Sequence, residues 1–312
     1  MVFKNLRKFN SSMYRLSDSI QIFENHDRKK IIIRNYGEGL VISIDRQNIL
    51  IELFLFLKEY HTLEEIKSKF PTLSMDNIQE VVSYFLKLGI LESQKVVNRK
   101  IKILLIGLGT TGSHIVESLS SLSCIEKLIL VDSDKVSTTN LFRQSYSLQD
   151  LNEYKVDVFL NRKGRERVTG IKDTIRSENE LMTISRFYEI DLIIQAADEP
   201  SPRELGRLVC KVSNKLNIPY ITNMGYASNV ISLPEFYFPN TSYHFDYKHN
   251  VNNEKLITSQ ILSKASYLSA IQPSLVIARQ IMDYCCGKTP IFYKKRGFFN
   301  NKKLAWEVES IE

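Results

Sequence analysis

Three glycines, Gly107, Gly109 and Gly112, follow the apolar run Ile103 to Ile106 in the spacing G-x-G-x-x-G. In a strand–turn–helix setting the first glycine permits a tight turn and the second lets backbone approach a ligand, while the third lets the next helix pack on the strand. A helix predicted from His114 to Ser121 would aim its first N–H groups at a phosphate. Asp132 ends a second apolar run, Lys127 to Val131. It lies about twenty residues on, where an acidic side chain can hydrogen-bond a ribose hydroxyl. Asn140, Arg143, Gln144 and Lys155 then arrive in one short segment. They offer a neutral donor, a planar fork of donors and a point charge, a set that suits a triphosphate and that hydride transfer does not need. Asp198 follows a buried strand predicted from Asp191 to Ala197. That position is the carboxyl edge of a sheet, where a carboxylate can hold Mg²⁺ through oxygen or water. Taken singly, each residue also has a plainer role: glycines as a packing device, Arg143 and Lys155 as solvated charges, Asp198 as a helix cap before Pro200. Together they predict an ATP and Mg²⁺ site in which Arg143, Lys155 and Asp198 carry the chemistry.

Strands alternating with helical patterns after residue 95 predict an α/β, Rossmann-like domain over 96–312. Leu205 to Leu216 reads as a helix in which Cys210 packs as a small hydrophobe. The Asn-rich stretch His244 to Ser263 has no clear period and is predicted to cross over the site. Tyr267 to Cys285 reads as a long amphipathic helix that begins after Pro273 or is interrupted by it. The tail FFNNKKLAWEVESIE reads as a strand pair through an Asn-Asn turn.

Residues 1–95 form a separate α+β, winged-helix-like unit. Its strands are punctuated by turn signals at Asn25–His26 and Gly37–Gly39. Helix patterns follow over Arg46 to Tyr60, Thr62 to Lys69 and Ser74 to Leu88, with Thr62 and Glu65 at capping-box spacing and a return strand at Ile90–Leu91. A groove-reading helix needs cations near its first turns. Ser74 to Leu88 instead carries Asp76 and Glu80, with Lys87 at the far end. This unit resembles the PqqD-like clamp that recognises leader peptides, and the resemblance implies a peptide-holding surface on the edge of a strand at Lys30, Ile32, Ile33 and Arg34, beside Val81, Phe85 and Leu86. Helical spacing alone also predicts burial of those last three.

The 312 residues suffice for a sizeable core and about two domains. The net charge of +7 is scattered in short pairs, which argues against a nucleic-acid stripe and favours an acidic peptide or nucleotide partner. There is no run of eighteen apolar residues and no signal-like start, so a cytoplasmic location without membrane attachment is expected. The four cysteines and five histidines lack ligand spacing. His114, His244 and His249 read as polar surface residues. Cys285 and Cys286, adjacent at a helix end, project differently and do not predict a joint site.

At GLGTTG, VDSDKVSTTNLFRQ, Lys155 and the AAD of Asp198, the chain resembles the ThiF/MoeB/HesA adenylating superfamily, which is related to ubiquitin-activating enzyme. The likeness runs from near residue 100 to the end, and through ITNMGYASNVISLPEFYFPNTSY it is nearest the MccB-type peptide-modifying enzymes. It implies that Asp132 binds ribose, that Asn140, Arg143 and Lys155 bind phosphates, and that Asp198 handles Mg²⁺. Asp134 and Gln144 match motif positions as well. The first unit looks similar to the PqqD-like clamp that recognises leader peptides. Two departures stand out. The paired Cys-x-x-Cys motifs of zinc-holding relatives are missing, so no structural zinc is expected. The arginine helix ahead of the first strand has little room, which leaves Arg99, Arg7 or Arg15 as substitutes. The expected function is ATP-dependent adenylation of a carboxylate on a ribosomally made precursor peptide by a homodimer. The alternative is a non-catalytic, leader-peptide-binding partner of an azole-forming cyclodehydratase.

Overall fold

The computed structural model describes residues 12–310 apart from His26, Arg28, 96–99, Pro200, Met224, Ser228 and 242–265. Arg7, Arg99 and the expected crossover from His244 to Ser263, with His249, therefore lie outside the described residues. The chain divides into two compact units, Met1–Val97 and Asn98–Glu312.

The first unit contains β1 (Ser12–Leu16), β2 (Ile20–Glu24), β3 (Lys30–Asn35), β4 (Leu40–Asp45), α1 (Asn48–Phe56), β5 (His61–Thr62), α2 (Leu63–Lys69), α3 (Met75–Lys87) and β6 (Leu91–Lys95). Thr62 caps α2 as its spacing predicted: its hydroxyl accepts from Glu65 N at 3.1 Å and Glu65 Oε2 accepts from Thr62 N at 2.8 Å. Ser74 caps α3 by accepting from Asn77 N at 3.1 Å. Ile78, Val82 and Phe85 turn from α3 into a core shared with Ile31 and Ile33. Each such side chain contributes about 1.5–3 kcal/mol by leaving water. α1 is shorter than its apolar pattern. Arg46 lies outside the helix, held by Glu24 at 2.6 Å and Asn48 at 2.6 Å.

The expected peptide edge at Lys30, Ile32, Ile33 and Arg34 is not an edge. β3 is the middle strand of the antiparallel order β2-β3-β4, so its backbone groups are paired on both sides. Ile33 and Phe85 are core residues and Val81 packs partly against them. Lys30 reaches across to Asp45 at 2.6 Å, and the Arg34 guanidinium lies over the Phe23 ring. Among the described residues, β2 and β4 are the edge strands of this sheet.

The second unit begins with β7 (Ile101–Ile106), α4 (Thr110–Ser120), β8 (Ile125–Val131), α5 (Lys155–Lys163), β9 (Val168–Ile171), α6 (Glu178–Phe187), β10 (Leu192–Gln195), α7 (Pro202–Leu216) and β11 (Tyr220–Thr222). β12 (Tyr226–Ala227), β13 (Val230–Ser232), β14 (Glu235–Tyr237), α8 (Tyr267–Cys285), β15 (Lys295–Asn300) and β16 (Ala305–Ser310) follow. The main sheet has the order β14-β11-β10-β7-β8-β9, parallel except for β14. β7, β8 and β10 are nearly continuous buried runs, as expected where helices cover both faces. This is the Rossmann-like α/β fold that the alternation of patterns predicted.

Three local differences have physical reasons. α4 starts at Thr110 instead of His114, so Gly112 sits in its first turn, where a Cβ would come within 1.9 Å of Gly107 O. α8 runs unbroken through Pro273. The lost bond and ring clash, worth about 3 kcal/mol, are offset by packing on α4, with Ala270, Ile277 and Ile281 fully buried. The last two strands join through residues 301–304 instead of a two-residue turn, because Asn300 Oδ1 accepts from Lys302 N and Lys303 N, both at 3.1 Å. Among the described residues no helix is long and apolar enough to cross a membrane.

Candidate functional site

β8 and β9 lie on one side of β7, β10 and β11 on the other, and all five point their carboxyl ends the same way. The chain thus changes direction across the sheet beside β7, at the kind of switch point where open α/β sheets leave a crevice. A cavity of about 430 Å³ occupies that place. Every residue of the expected nucleotide set except Gly112 lines it: Gly107, Gly109, Asp132, Asp134, Asn140, Arg143, Gln144, Lys155 and Asp198. Gly112 acts one layer back, letting α4 close on the Gly107 carbonyl.

The turn after β7 is built for this closeness. Gly107 has φ +94° and an added Cβ would meet Ala197 N at 2.5 Å, so only glycine fits. Nothing lies within 4 Å of a Cβ placed on Gly109, which faces the cavity. The first N–H groups of α4, at Thr110 and Thr111, border the same space, where their partial positive charge favours a phosphate. Tyr146, buried, donates to Leu108 O at 2.8 Å and braces the turn from behind. Burial raises its hydroxyl pKa well above the usual value, so it stays a donor.

Asp132 closes the other wall. One oxygen accepts from Leu108 N at 2.6 Å and the other from Asp134 N at 2.8 Å. Lys155, 5% exposed, sets its ammonium 2.6 Å from Asp134 Oδ2 and 3.7 Å from Asp132 Oδ1. Burial raises the Asp132 pKa; the Lys155 charge and the two backbone donors oppose it. Asn140 turns its amide oxygen to Ser137 N at 2.8 Å and Ser137 Oγ at 3.1 Å, which leaves its nitrogen as the group to offer a ligand. Arg143 donates to Thr110 Oγ1, and Gln144 is buried, its Oε1 without a partner among the described residues. Asp198 is exposed at the rim, just past the end of β10. Its single carboxylate suits a hard cation that keeps waters and shares phosphate oxygens. No group of three or more metal-ligating side chains forms among the described residues.

The sequence reading missed several contributors. Asp173, Thr174 and Ile175 line the cavity after β9, with Thr174 Oγ1 2.9 Å from Ser133 Oγ, and Asn223 lines it after β11. Their only signal is position, one to four residues beyond a parallel strand. His114, expected at the surface, is 6% exposed. Its Nε2 lies 3.1 Å from Arg143 O and its ring meets Tyr267 edge-on at 5.2 Å. Arg15, a candidate for the absent arginine helix, belongs to the first unit and is engaged there by Glu92 at 2.6 Å and Asp18 at 2.8 Å.

Solved structures share the fold. E. coli MccB with ATP matches with a TM-score of 0.66 at 18% identity, over 96% of this chain and 97% of that one. The microcin C7 biosynthetic enzyme MccB in complex with N-formylated MccA gives 0.64 at 17%, over 96% and 97%. PaaA gives 0.61 at 15%, over 95% and 99%. No curated protein matches the chain in sequence. The sequence pattern of the ThiF family matches residues 84–311, and the chain belongs to that family.

Proposed function

We propose that the protein uses ATP to adenylate a carboxylate of a ribosomally made precursor peptide. The observation that carries this reading is the convergence of Gly109 from the turn after β7, of Asp132, Asn140, Arg143 and Lys155 from the β8–α5 connection and the start of α5, and of Asp198 from the loop after β10 on one cavity. In the proposed reaction a carboxylate oxygen attacks the α-phosphorus. The bond from that phosphorus to the bridging oxygen breaks and pyrophosphate leaves, so no proton transfer and no protein nucleophile are needed. Arg143 and Lys155 oppose the charge spreading over the phosphates, and the turn before α4 fixes the nucleotide for in-line attack. Mg²⁺ would be held by Asp198 with phosphate oxygens and water, and would neutralise the charge of the leaving group.

The peptide is assigned to the first unit, where β2, an edge strand among the described residues, runs beside an apolar groove of about 310 Å³ lined by Leu16, Ile22, Phe23, Phe54 and Leu55. Backbone pairing to such an edge gives affinity and side-chain pockets give specificity. Fold-sharing MccB, which has been crystallised with ATP and with MccA, supports this reading. A cytoplasmic homodimer is the expected form. The test is pyrophosphate exchange: purified protein with Mg·ATP should exchange labelled pyrophosphate only when the cognate peptide is added. Asp198→Asn should lower the rate by about two orders of magnitude or more without changing peptide affinity. Failure to bind ATP at millimolar concentration rules the proposal out, and binding without peptide-dependent exchange rules out the adenylation step.

A further inference from the structure

The groups assigned to ATP leave the β11 side of the cavity without a ligand. β7, β10 and β11 are in register at Ile106, Gln195 and Thr222, so the chain leaves the sheet at one level at Gly107, Ala196 and Asn223, and all three residues line the cavity. The groups offered to ribose and phosphates come from the turn after β7 and from the stretch between β8 and the first residue of α5. β11 is two strands from β7, which is about 10 Å across a sheet. That separation gives room for a second reactant beside the phosphates.

The β11 side has its own chemistry. Among the described lining residues beyond the end of β10, the charged ones are Asp198 and Glu199, both acidic, and Asn223 is the one whose side chain can donate a hydrogen bond. The backbone N of Asn223 donates to Gln195 O at 3.0 Å, which ties it to the end of β10. Its Oδ1 is enclosed, without a partner among the described residues, so the nitrogen is the amide atom left to face the cavity. Two residues on, Gly225 has φ +88°, and a Cβ placed on it meets nothing within 4 Å among the described residues. Gly225 lines the cavity as well, and backbone without a side chain lets another chain pass close.

We propose, building on the adenylation reading, that Asn223 holds the acceptor carboxylate through a hydrogen bond from its side-chain nitrogen, and that the peptide bearing this carboxylate passes beside Gly225. An ionised carboxylate only accepts hydrogen bonds, so it matches this donor. A neutral amide also suits a nucleophile better than a cation does. A hydrogen bond from an ionised donor is about twice as strong and would draw charge from the oxygens that must attack. Held by one oxygen, the carboxylate keeps the other free to form its bond to the α-phosphorus, while the bond to the bridging oxygen breaks and pyrophosphate leaves with that electron pair. The held oxygen then becomes the carbonyl oxygen of the acyl adenylate. It is still an acceptor, so Asn223 grips the product of the step as well as the substrate.

The test uses the full chain and a stable mimic of that product, N-acetylglycyl sulfamoyl adenosine, with AMP as the ligand that lacks the acyl group; both are titrated by calorimetry. Asn223→Ala should weaken the mimic about tenfold. Asn223→Asp, which sets a carboxylate against the acyl oxygen, should weaken it at least as much. AMP affinity should stay unchanged in both variants, which also reports that they are folded. Equal losses for mimic and AMP would make Asn223 a nucleotide or structural residue and overturn the proposal. So would a mimic that binds Asn223→Ala as well as the unmutated chain, or an unmutated chain that binds AMP but not the mimic. If the unmutated chain binds neither Mg·ATP nor AMP at millimolar concentration, the adenylation reading itself falls and the acceptor site with it, a result seen before any substitution is made.

Discussion

Lys155→Met isolates what the buried ammonium does for the fold before any nucleotide binds. Methionine can follow the path of the lysine stem but carries no charge, so Asp132, whose side chain is 9% exposed, loses its cation. Breaking a buried pair by removing one member costs about 3–5 kcal/mol. The Asp134 arm adds less than about 1 kcal/mol, since that side chain is 67% exposed. The backbone donors at Leu108 and Asp134 remain, which places the expected loss near the lower end, about 3 kcal/mol. Urea unfolding followed by Trp306 fluorescence measures it, because the chain's single tryptophan lies in β16 of the second unit. The pH dependence checks the cause. Burial already sets the Asp132 pKa above its ordinary value, with Lys155 opposing, so removing Lys155 raises it further. A carboxyl that binds its proton more readily folded than unfolded is least costly when protonated. The deficit is therefore full above the folded pKa and narrows as the pH falls through it, by at most about 1.4 kcal/mol per pH unit. A deficit under about 1 kcal/mol at neutral pH, or one that stays constant down to the lowest pH at which the fold survives, would refute the reasoning.

Gly112→Ala must push against Gly107 O, and should cost about 3 kcal/mol together with nucleotide binding. Gly109→Ala meets nothing within 4 Å and should weaken binding while leaving the melting temperature nearly unchanged. His114→Phe keeps a ring against Tyr267 but loses the contact with Arg143 O. Calorimetry should show Mg·ATP affinity falling about tenfold, with partial recovery in His114→Gln. Elemental analysis should find well under one zinc per chain, and EDTA should leave thermal melting unchanged; stoichiometric zinc contradicts this.

The wall of the cavity was legible because its parts are local: a strand, a glycine turn and the helix after it are written within Ile101 to Ser120, and Asp132 follows one strand later. The capping residues Thr62 and Ser74 were legible for the same reason. Sheet order was not. That β3 sits between β2 and β4 depends on pairing partners, and an alternating strand looks alike at an edge and in the middle. The burial of His114 comes from α8 packing on α4, a contact between segments far apart in the chain. Asp173 and Asn223 carry no motif; only the common direction of the parallel strands makes them neighbours of the site.

The central place of β7 also bears on how the protein is made. One neighbour, β8, follows at once, but the other, β10, begins only at Leu192. On a ribosome adding about 5–20 residues per second, β7 waits on the order of ten seconds for that partner. Throughout the wait it presents an open, apolar edge, the IKILLI segment, of the kind that recruits other unfinished chains. The second unit is therefore the slow and vulnerable part of synthesis, because parallel pairing must close a long loop before it is rewarded. The first unit combines the hairpin-linked β2-β3-β4 with short helices and closes through the β1–β6 pairing, so its contacts are available once β6 emerges.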